Sequence, residues 1–372
     1  MAPARVLFVD HAPARGGAEN SLLLLLEHLE RSRFTPELAT QPGTLSDGAR
    51  AVGIVVHELP LQRLYGEPTA AWRLARGATA LARIVRHREI SLLHCNTVRA
   101  SVYAAVAAQL TRRPLVWHVR DILPRGLYTR SLCAASTMVI AVSKAAAGPL
   151  PCAEKVRVVY NGVRAADFGS ERREPAAALR AAWGIPPDAL LIGHVARLQP
   201  WKGQHDVVAV AARLARERPN VYFALIGGDI FADASAYERA LRAAIAASGV
   251  AERIVLTGHQ TDIPATLAAL DVLVHASRND PFPRILLEAA AAGLPIVAYG
   301  GGGVPEVLSH ERTALLVPSE DRRALTDALR RLIADPNLRR TLGAAARADI
   351  TARFDVRCLT RQIEQVLDRA LA

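Results

Sequence analysis

The segment NDPFPRILLE, residues 279–288, holds two carboxylates eight positions apart. Asp280 precedes a Pro-Phe-Pro tripeptide, and Glu288 lies one turn after Arg284 in a segment that predicts a helix. Each acid alone has a structural explanation, because Asp280 could start a turn before proline and Glu288 could form an exposed i,i+4 pair with Arg284. Pro283 fits the first helical position, where no backbone N–H is needed. The two acids therefore become a candidate site only together with other polar residues.

Cations and glycines follow other apolar segments. Arg197 and Lys202 come after LLIGHVA, and a guanidinium and an ammonium at one strand end suit a diphosphate. Two solvated surface cations would give the same pattern. Gly16 and Gly17 follow the first apolar segment and open a helix expected near Glu19, whose free N–H groups would suit a phosphate. The alternative is a tight turn closed by an acidic cap.

A run of four glycines, Gly300–Gly303, follows the segment PIVAY and would let a ligand approach the backbone closely. The run is not a dinucleotide fingerprint, because Glu306 stands where GxGxxG requires glycine, and no Walker lysine follows. These features disfavour NAD-binding and P-loop NTPase functions. His118 ends another apolar segment, where it is either a packed strand-end residue or a ligand contact.

The apolar segments do not alternate with polar residues, which predicts parallel strands that are buried on both faces. Segments with helical period lie between them, such as residues 19–31 and 205–218, so the pattern predicts a doubly wound α/β architecture. The length of 372 residues suggests two domains, with the joint within Asn161–Asp188. Ligands of such sheets bind beyond the carboxyl ends of the strands. A last helix, near Val356–Ala372, could pack on either domain.

The net charge of +11 is concentrated in residues 63–130, which are rich in arginine and contain only three acids. An anionic partner is expected there, although no zinc-finger, RNP-like or lysine-rich pattern supports nucleic acid. Residues 70–88 form a helical pattern with Trp72 and Arg76 on one face. The other two residues of this face are Arg83 and Arg86. It could rest on an anionic membrane surface, or it could simply be solvated.

The four cysteines show no CxxC or Cys/His spacing, so they predict reduced thiols, with neither a disulfide nor a zinc site, in a cytoplasmic protein. The N-terminus does not resemble a signal peptide. The longest leucine run, residues 22–26, is too short to cross a bilayer. Any membrane contact is therefore expected to be peripheral, on the inner face of the membrane.

Taken together, these motifs resemble those of the family 4 glycosyltransferases of the GT-B fold over nearly the whole chain. The matching segments are RGGAE, HVRD, VYNGV, ARLQPWKG and DPFPRILLEAAAAGLPIVAYGGGGVPEVL. The resemblance implies an α/β fold of two doubly wound, parallel-sheet, Rossmann-like domains that face an interdomain cleft. Residues 1–165 would bind the acceptor and residues 166–355 the donor. Helix 356–372 could pack back on the first domain.

The resemblance also implies roles for individual residues. Glu288 would bind the donor ribose, Asp280 would contact the donor sugar, and Arg197 with Lys202 would hold the diphosphate. The implied donor-binding set is Gly16, Gly17, Arg197, Lys202, Gly258, His259, Asp280, Phe282, Pro283 and Glu288. The implied catalytic set is Arg197, Lys202, His118 and Asp280, and the implied acceptor region is Glu19, Asn96, His118, Arg120 and Asp121.

Two positions depart from the family pattern. Family members usually carry glutamate at the position of Asp280 and glycine at that of Pro283. The shorter carboxylate moves its contact by roughly 1.5 Å, and proline removes a backbone N–H that glycine could donate. Both changes affect recognition of the donor sugar rather than of the ribose or diphosphate.

The implied activity is transfer of a hexose, with retention, from a UDP- or GDP-sugar to an acceptor hydroxyl, without a metal or other cofactor. The acceptor would be a sugar, a lipid-linked molecule or a small molecule, in the synthesis of cell-envelope glycans, glycolipids or glycosylated natural products. Alternatives are a non-catalytic nucleotide-sugar-binding protein and a sugar-nucleotide epimerase of the same fold. A nucleic-acid-binding module is a third and weaker alternative.

Overall fold

The computed structural model describes residues 2–169, 173–228 and 235–372. The chain divides into two compact units, Met1–Gly162 with Val356–Ala372, and Val163–Asp355. The sequence placed this boundary at residue 165, three residues later. Each unit contains one parallel sheet, so the predicted doubly wound α/β fold is confirmed.

The first unit contains a parallel sheet in the order β3-β2-β1-β4-β5-β6-β7. Its strands are β1 (Ala4–Val9), β2 (Phe34–Thr40), β3 (Val55–Glu58), β4 (Leu92–Cys95), β5 (Leu115–Val119), β6 (Met138–Ala141) and β7 (Val156–Val158). Its helices up to the joint are α1 (Gly17–His28), α2 (Thr44–Ala51), α3 (Ala70–His87), α4 (Val98–Thr111), α5 (Leu127–Ala135) and α6 (Lys144–Ala147). Every residue of β4 and β5 is buried, as the lack of alternation predicted.

The second unit contains a parallel sheet in the order β10-β9-β8-β11-β12-β13. Its strands are β8 (Leu190–Val195), β9 (Val221–Ile226), β10 (Ile254–Gly258), β11 (Val272–His275), β12 (Ile296–Tyr299) and β13 (Leu315–Val317). Its helices are α7 (Arg173–Ala182), α8 (Gln204–Glu217), α9 (Ser235–Ala246), α10 (Ile263–Ala268), α11 (Arg284–Ala291), α12 (Val304–Val307), α13 (Arg322–Ala334) and α14 (Pro336–Arg353).

Both sheets have a topological switch point. Strand β1 lies between β2 and β4, and strand β8 lies between β9 and β11. Connections leave these two central strands in opposite directions, which opens a crevice at their carboxyl ends. The residues that follow β1, β4, β8 and β11 are therefore the ones placed to meet a ligand.

The last helix, α15 (Val356–Leu371), returns to the first unit and packs on α1. Glu364 of this helix is only 2% exposed. Its carboxylate accepts a hydrogen bond from the backbone N–H of Glu30 (2.7 Å) and pairs with Arg33 (3.2 Å). These two partners compensate the negative charge of the buried Glu364 carboxylate. Their positions therefore determine where α15 docks on the first unit.

Two strands of the first unit, β2 and β3, were missed in the sequence because they lack an apolar run. Strand β2 contains Pro36 and Glu37. Glu37 is fully buried and paired with Arg5 (3.3 Å), Arg88 (3.0 Å) and His57 (2.6 Å). These partners compensate the buried charge, and no local pattern reveals such long-range pairing.

Helix α3 has the two faces that the sequence predicted. Leu81 and Val85 are buried against the first unit, whereas Trp72 is 58% exposed. The guanidinium of Arg76 lies over the Trp72 ring, 5.3 Å from its centroid. Docking of this face on anionic lipid stays a prediction. Within the described ranges, no helix combines the length and the apolar character needed to cross a bilayer.

The expectation of four reduced thiols is wrong for two of them. Cys133 of α5 and Cys152, which follows α6, form a disulfide with their Cα atoms 5.8 Å apart. Cys95 and Cys358 are not part of this disulfide. The two bonded residues are 19 positions apart, and only the folding of α5, β6 and α6 brings them together. Spacing alone could not show this pairing.

Candidate active site

A buried ion pair lies at the carboxyl edge of the second sheet. Lys202 ends a single 3-10 turn, Pro200–Lys202, after β8, and Asp280 lies in the loop after β11. The lysine Nζ is 2.6 Å from Oδ2 of Asp280, and the two side chains are only 14% and 7% exposed. The sequence analysis treated the two residues separately and did not predict that they are partners.

The glycine run holds the loop of Asp280 in place. The N–H of Gly303 donates to the Asp280 carbonyl (2.8 Å). Gly302 has a φ of +60°, and a Cβ on it would clash with that same carbonyl. The close approach for which these glycines are needed is thus to the protein's own backbone. The sequence had assigned it to a ligand.

Helix α11 carries the second carboxylate of the opening segment. It begins at Arg284, so Pro283 is the residue before the helix, with a φ of −72° and a ψ of 110°, and is not its first helical residue. Arg284 and Glu288 form the predicted i,i+4 pair at 2.8 Å, but both side chains are nearly buried, at 11% and 12% exposed. Phe282 is buried, with its ring 5.8 Å from that of Phe354. The pair therefore belongs to a packed site.

Two histidines lie on the strands beneath the ion pair, His194 on β8 and His275 on β11, each 1% exposed. Burial is the main cause that lowers the pKa of His194 to about 4 and that of His275 to about 3. Nε2 of His275 is 3.9 Å from Oδ2 of Asp280. Neither Nε2 atom has a hydrogen-bond partner in the part of the chain that the structure describes. Both rings are therefore neutral near pH 7.

The remaining candidate donor residues of this unit lie at the same sheet edge. Arg197 follows β8, and its carbonyl accepts a hydrogen bond from Nε2 of Gln204 (2.7 Å). Oε1 of Gln204 in turn accepts from the Tyr237 hydroxyl (2.9 Å). Gly258 ends β10 with a φ of +72°, and His259 follows it. The structure thus brings Arg197, Lys202, Asp280 and the Gly258-His259 turn to one edge.

In the first unit, the double glycine forms a closed cap. The backbone N–H of Gly16 donates to Oε2 of Glu19 (2.8 Å), and Glu19 is only 7% exposed. The acidic-cap alternative is therefore the one present, and the expectation of a free N–H at Gly16 is wrong. Helix α1 begins at Gly17, two residues before the predicted start.

A hydrogen-bonded chain crosses the carboxyl edge of the first sheet. Nδ2 of Asn96 donates to Oδ2 of Asp10 (2.6 Å), and Nε of Arg120 donates to Oδ1 of Asn96 (2.6 Å). Arg120 also donates from Nη1 to Oδ1 of Asn161 (2.8 Å) and from Nη2 to Nδ1 of His118 (3.5 Å). Asp10 and Asn96 are fully buried. Asn96, His118 and Arg120 were predicted site residues, whereas Asp121, also predicted, is exposed.

Asp10, His94 and Asn161 of this cluster were not among the predicted residues. Asp10 ends the first apolar segment, so an acid directly after a buried strand was the signal that could have found it. Burial and the charge of Glu19 raise the pKa of Asp10 to about 7. Burial and the charge of Arg120 lower the pKa of His94 to about 3 and that of His118 well below its ordinary value.

The described residues contain no group of three or more His, Cys, Asp or Glu side chains placed to hold a metal ion. The second sheet edge carries the cations Arg197 and Lys202, groups of a type that binds anions, and the carboxylate of Asp280, a group of a type that binds hydroxyls.

The two parallel-sheet α/β units have the architecture of the GT-B fold, which the chain shares with glycosyltransferases of known structure. Residues 15–167 match the family model for "Glycosyltransferase Family 4", and residues 176–349 match that for "Glycosyl transferases group 1". The chain belongs to the group 1 glycosyltransferases.

Individual relatives agree with this assignment. The chain is similar to HepE of Anabaena in complex with UDP-glucose, with a TM-score of 0.86 and 27% identity over 98% of this chain and 99% of that one. It is 27% identical to the lipopolysaccharide core biosynthesis glycosyltransferase LpsD of Rhizobium meliloti, over 97% of this chain and 98% of that protein. It is 34% identical to the 2-deoxystreptamine N-acetyl-D-glucosaminyltransferase of Streptomyces fradiae, but over only 49% of this chain and 42% of that enzyme. The match thus spans less than half of the Streptomyces enzyme.

The buried histidines predict acid lability. Unfolding frees a histidine to bind a proton below its ordinary pKa of 6.5, whereas folded His275 stays neutral to about 3. Stability contributed by this residue is therefore lost as pH falls through 6.5, by about 2 kcal/mol at pH 5. His275→Gln should reduce the loss of unfolding free energy between pH 7.5 and pH 5 by that amount, measured by urea denaturation. The exposed His310→Gln is the control, and equal losses in wild type and His275→Gln would contradict the neutral buried ring.

Proposed function

We propose that this chain transfers a sugar, with retention and without a metal, from a nucleoside diphosphate sugar to an acceptor hydroxyl. The observation that carries the proposal is the Lys202–Asp280 pair at the carboxyl edge of the second sheet. A nearly buried ammonium beside a sheet's switch point is suited to an anionic ligand. The similarity over the full chain to HepE, a structure of which holds UDP-glucose, supports a nucleotide-sugar donor.

The proposed chemistry depends on stabilising the leaving group. Departure of a nucleoside diphosphate develops negative charge on the β-phosphate, and Arg197 with Lys202 would neutralise it. The leaving phosphate oxygen would accept the proton of the acceptor hydroxyl on the same face of the sugar, which accounts for retention. In this proposal the two cations supply the charge that a metal supplies in other transferases.

Glu288 is proposed to bind the donor ribose. Both hydrogen bonds from Arg284 to this side chain end on Oε1, at 3.2 and 2.8 Å. Within the described ranges, Oε2 has no such partner and can accept from a ribose hydroxyl. Arg284 thereby holds the carboxylate in one orientation, which lowers the entropy cost of binding the ribose.

Asp280 is proposed to change partners when the donor binds. Lys202 would turn to the diphosphate, and the freed carboxylate would accept from a hydroxyl of the donor sugar. The neutral ring of His275, 3.9 Å away, would then face the carboxylate. Pro283 offers no N–H in this loop, so the sugar would be held by side chains more than by backbone. The substrate range proposed is a hexose donor, with UDP-glucose as the first candidate, used in envelope glycan, glycolipid or natural-product synthesis.

A panel of nucleotide sugars, scored by released nucleotide with and without simple sugar and lipid acceptors, tests the activity. We expect slow nucleotide release from at least one UDP- or GDP-sugar. Arg197→Ala should lower turnover by roughly 100-fold, as expected for loss of one contact to the developing charge. Conversion of the donor to an epimer, or binding without release, would replace the transferase with one of the two alternatives.

The ribose assignment has its own test. Glu288→Gln keeps the size of the side chain but removes its charge, so UDP and GDP should each bind about tenfold more weakly, as for the loss of a charged hydrogen bond. Glu238→Gln is the matched control, because Glu238 forms an exposed i,i+4 pair with Arg242 on α9. Calorimetry measures both affinities without an acceptor. Unchanged affinity in Glu288→Gln would refute the role of Glu288.

A further inference from the structure

The hydrogen-bonded chain of the first unit has a fixed direction. A carboxylate at Asp10 only accepts hydrogen bonds, and the guanidinium of Arg120 only donates them. Asn96 lies between the two, so its amide nitrogen must face Asp10 and its oxygen must face Arg120. Oδ1 of Asp10 is held as well, by the backbone N–H of Ala12 (2.8 Å). Asp10 thus sets the orientation of Asn96, and Asn96 presents an acceptor to Arg120.

The donor role of Arg120 also bears on which ring nitrogen of His118 carries the proton. Nη2 of Arg120 can only donate, so its contact with Nδ1 of His118, 3.5 Å away, favours an accepting Nδ1. The ring then carries its proton on Nε2. His118 is only 2% exposed, and its Nε2 has no hydrogen-bond partner among residues 2–169, 173–228 and 235–372. A buried donor without a partner costs free energy, which a ligand oxygen would recover.

His118, Arg120 and Asn161 line a cavity in the first unit, bounded also by α1 and α15. The neighbouring His94 does not supply the missing partner, because its Nε2 faces Nδ1 of His118 at 3.3 Å. Burial, Arg120 and His94 all lower the pKa of His118. The ring therefore does not act as a base near neutral pH.

We propose that Asp10 is a positioning residue, which acts through Asn96 and Arg120 to keep the proton of His118 on Nε2, where it donates to a ligand oxygen. That this ligand takes part in the sugar transfer rests on the proposed function. The role of Asp10 is independent of which ligand is bound. His118 serves as a hydrogen-bond donor, and the acceptor hydroxyl loses its proton elsewhere.

The tautomer can be read directly by NMR of the full-length protein with 15N-labelled histidine rings. The spectrum of His118→Gln identifies the resonances of His118 by difference. At pH 8.5, where the carboxyl of Asp10 is ionised, we expect a neutral ring protonated at Nε2. A ring protonated at Nδ1 would overturn the proposal, and this test needs no donor.

Asp10→Asn tests the positioning role. The asparagine offers one acceptor oxygen to two donors, Ala12 N–H and Asn96 Nδ2, so Asn96 loses its fixed orientation. We expect the Nε2–H signal of His118 to be lost or mixed, and kcat/KM to fall about tenfold, as for one hydrogen bond. Glu37→Gln is the control, since it also removes a buried carboxylate from the first sheet. If both variants lose similar stability and similar kcat/KM, with the tautomer unchanged, Asp10 is only structural.

Two substitutions of His118 distinguish a role as hydrogen-bond donor from a role as general base. The amide nitrogen of His118→Gln lies near the position of Nε2, whereas that of His118→Asn lies near Nδ1. We expect His118→Gln to retain about tenfold more kcat/KM than His118→Asn, because only the former restores the donor. Equal loss in both would contradict donation from Nε2. A wild-type protein that binds or turns over no nucleotide sugar would refute the proposed function and the part of His118 in it, while the tautomer result would still decide the role of Asp10.

Discussion

The candidate donor site depends on one interaction, the nearly buried ion pair of Lys202 and Asp280. Two charges out of water are tolerated only while each has a partner, so neither residue can leave the pair unless another charged or hydrogen-bonding group takes the place of its partner. A diphosphate meets this requirement for Lys202, and a sugar hydroxyl with the nearby His275 meets it for Asp280. The glycine run supports the arrangement, because the N–H of Gly303 fixes the carbonyl of Asp280. The ion pair thereby holds the lysine at the sheet edge where an anion would bind.

Much of the fold could be predicted from the sequence, because each buried parallel strand appears as a continuous apolar segment. Continuous apolar segments predicted the central strands of both sheets, and the ends of these segments and the loops after them contain the predicted site residues His118, Arg197 and Lys202. The edge strand β3 and its neighbour β2 lack such an apolar segment. In β2, Glu37 is buried because residues from distant parts of the chain pair with it. The same holds for the Cys133–Cys152 disulfide, because only the fold of α5, β6 and α6 brings the two cysteines together.

The candidate site was predictable in residue type but not in pairing. The sequence identified Lys202 and Asp280 as separate ligands, although they are 78 positions apart in the chain and in direct contact in the fold. Asp10 was not predicted as a site residue, because a single acid after a strand is common. Only its hydrogen bond with Asn96, 86 positions away, connects it to the other polar residues of the site. Gly16 shows the reverse case. The sequence predicted that the helix start would bind a phosphate, but the N–H of Gly16 donates to Glu19 of the same helix. Contacts between strand ends are set by the sheet order, which local patterns do not contain.

The central claim is that Lys202 binds the diphosphate of the donor after leaving Asp280. Calorimetric titration of UDP into wild type, Asp280→Asn and the double variant Lys202→Met/Asp280→Asn tests it most directly, since the double variant leaves no unpaired buried charge. The account predicts that Asp280→Asn binds UDP at least as tightly as wild type. It also predicts that the double variant binds roughly 10- to 100-fold more weakly than Asp280→Asn, the loss expected for a charged hydrogen bond. Equal affinity of Asp280→Asn and the double variant would contradict it.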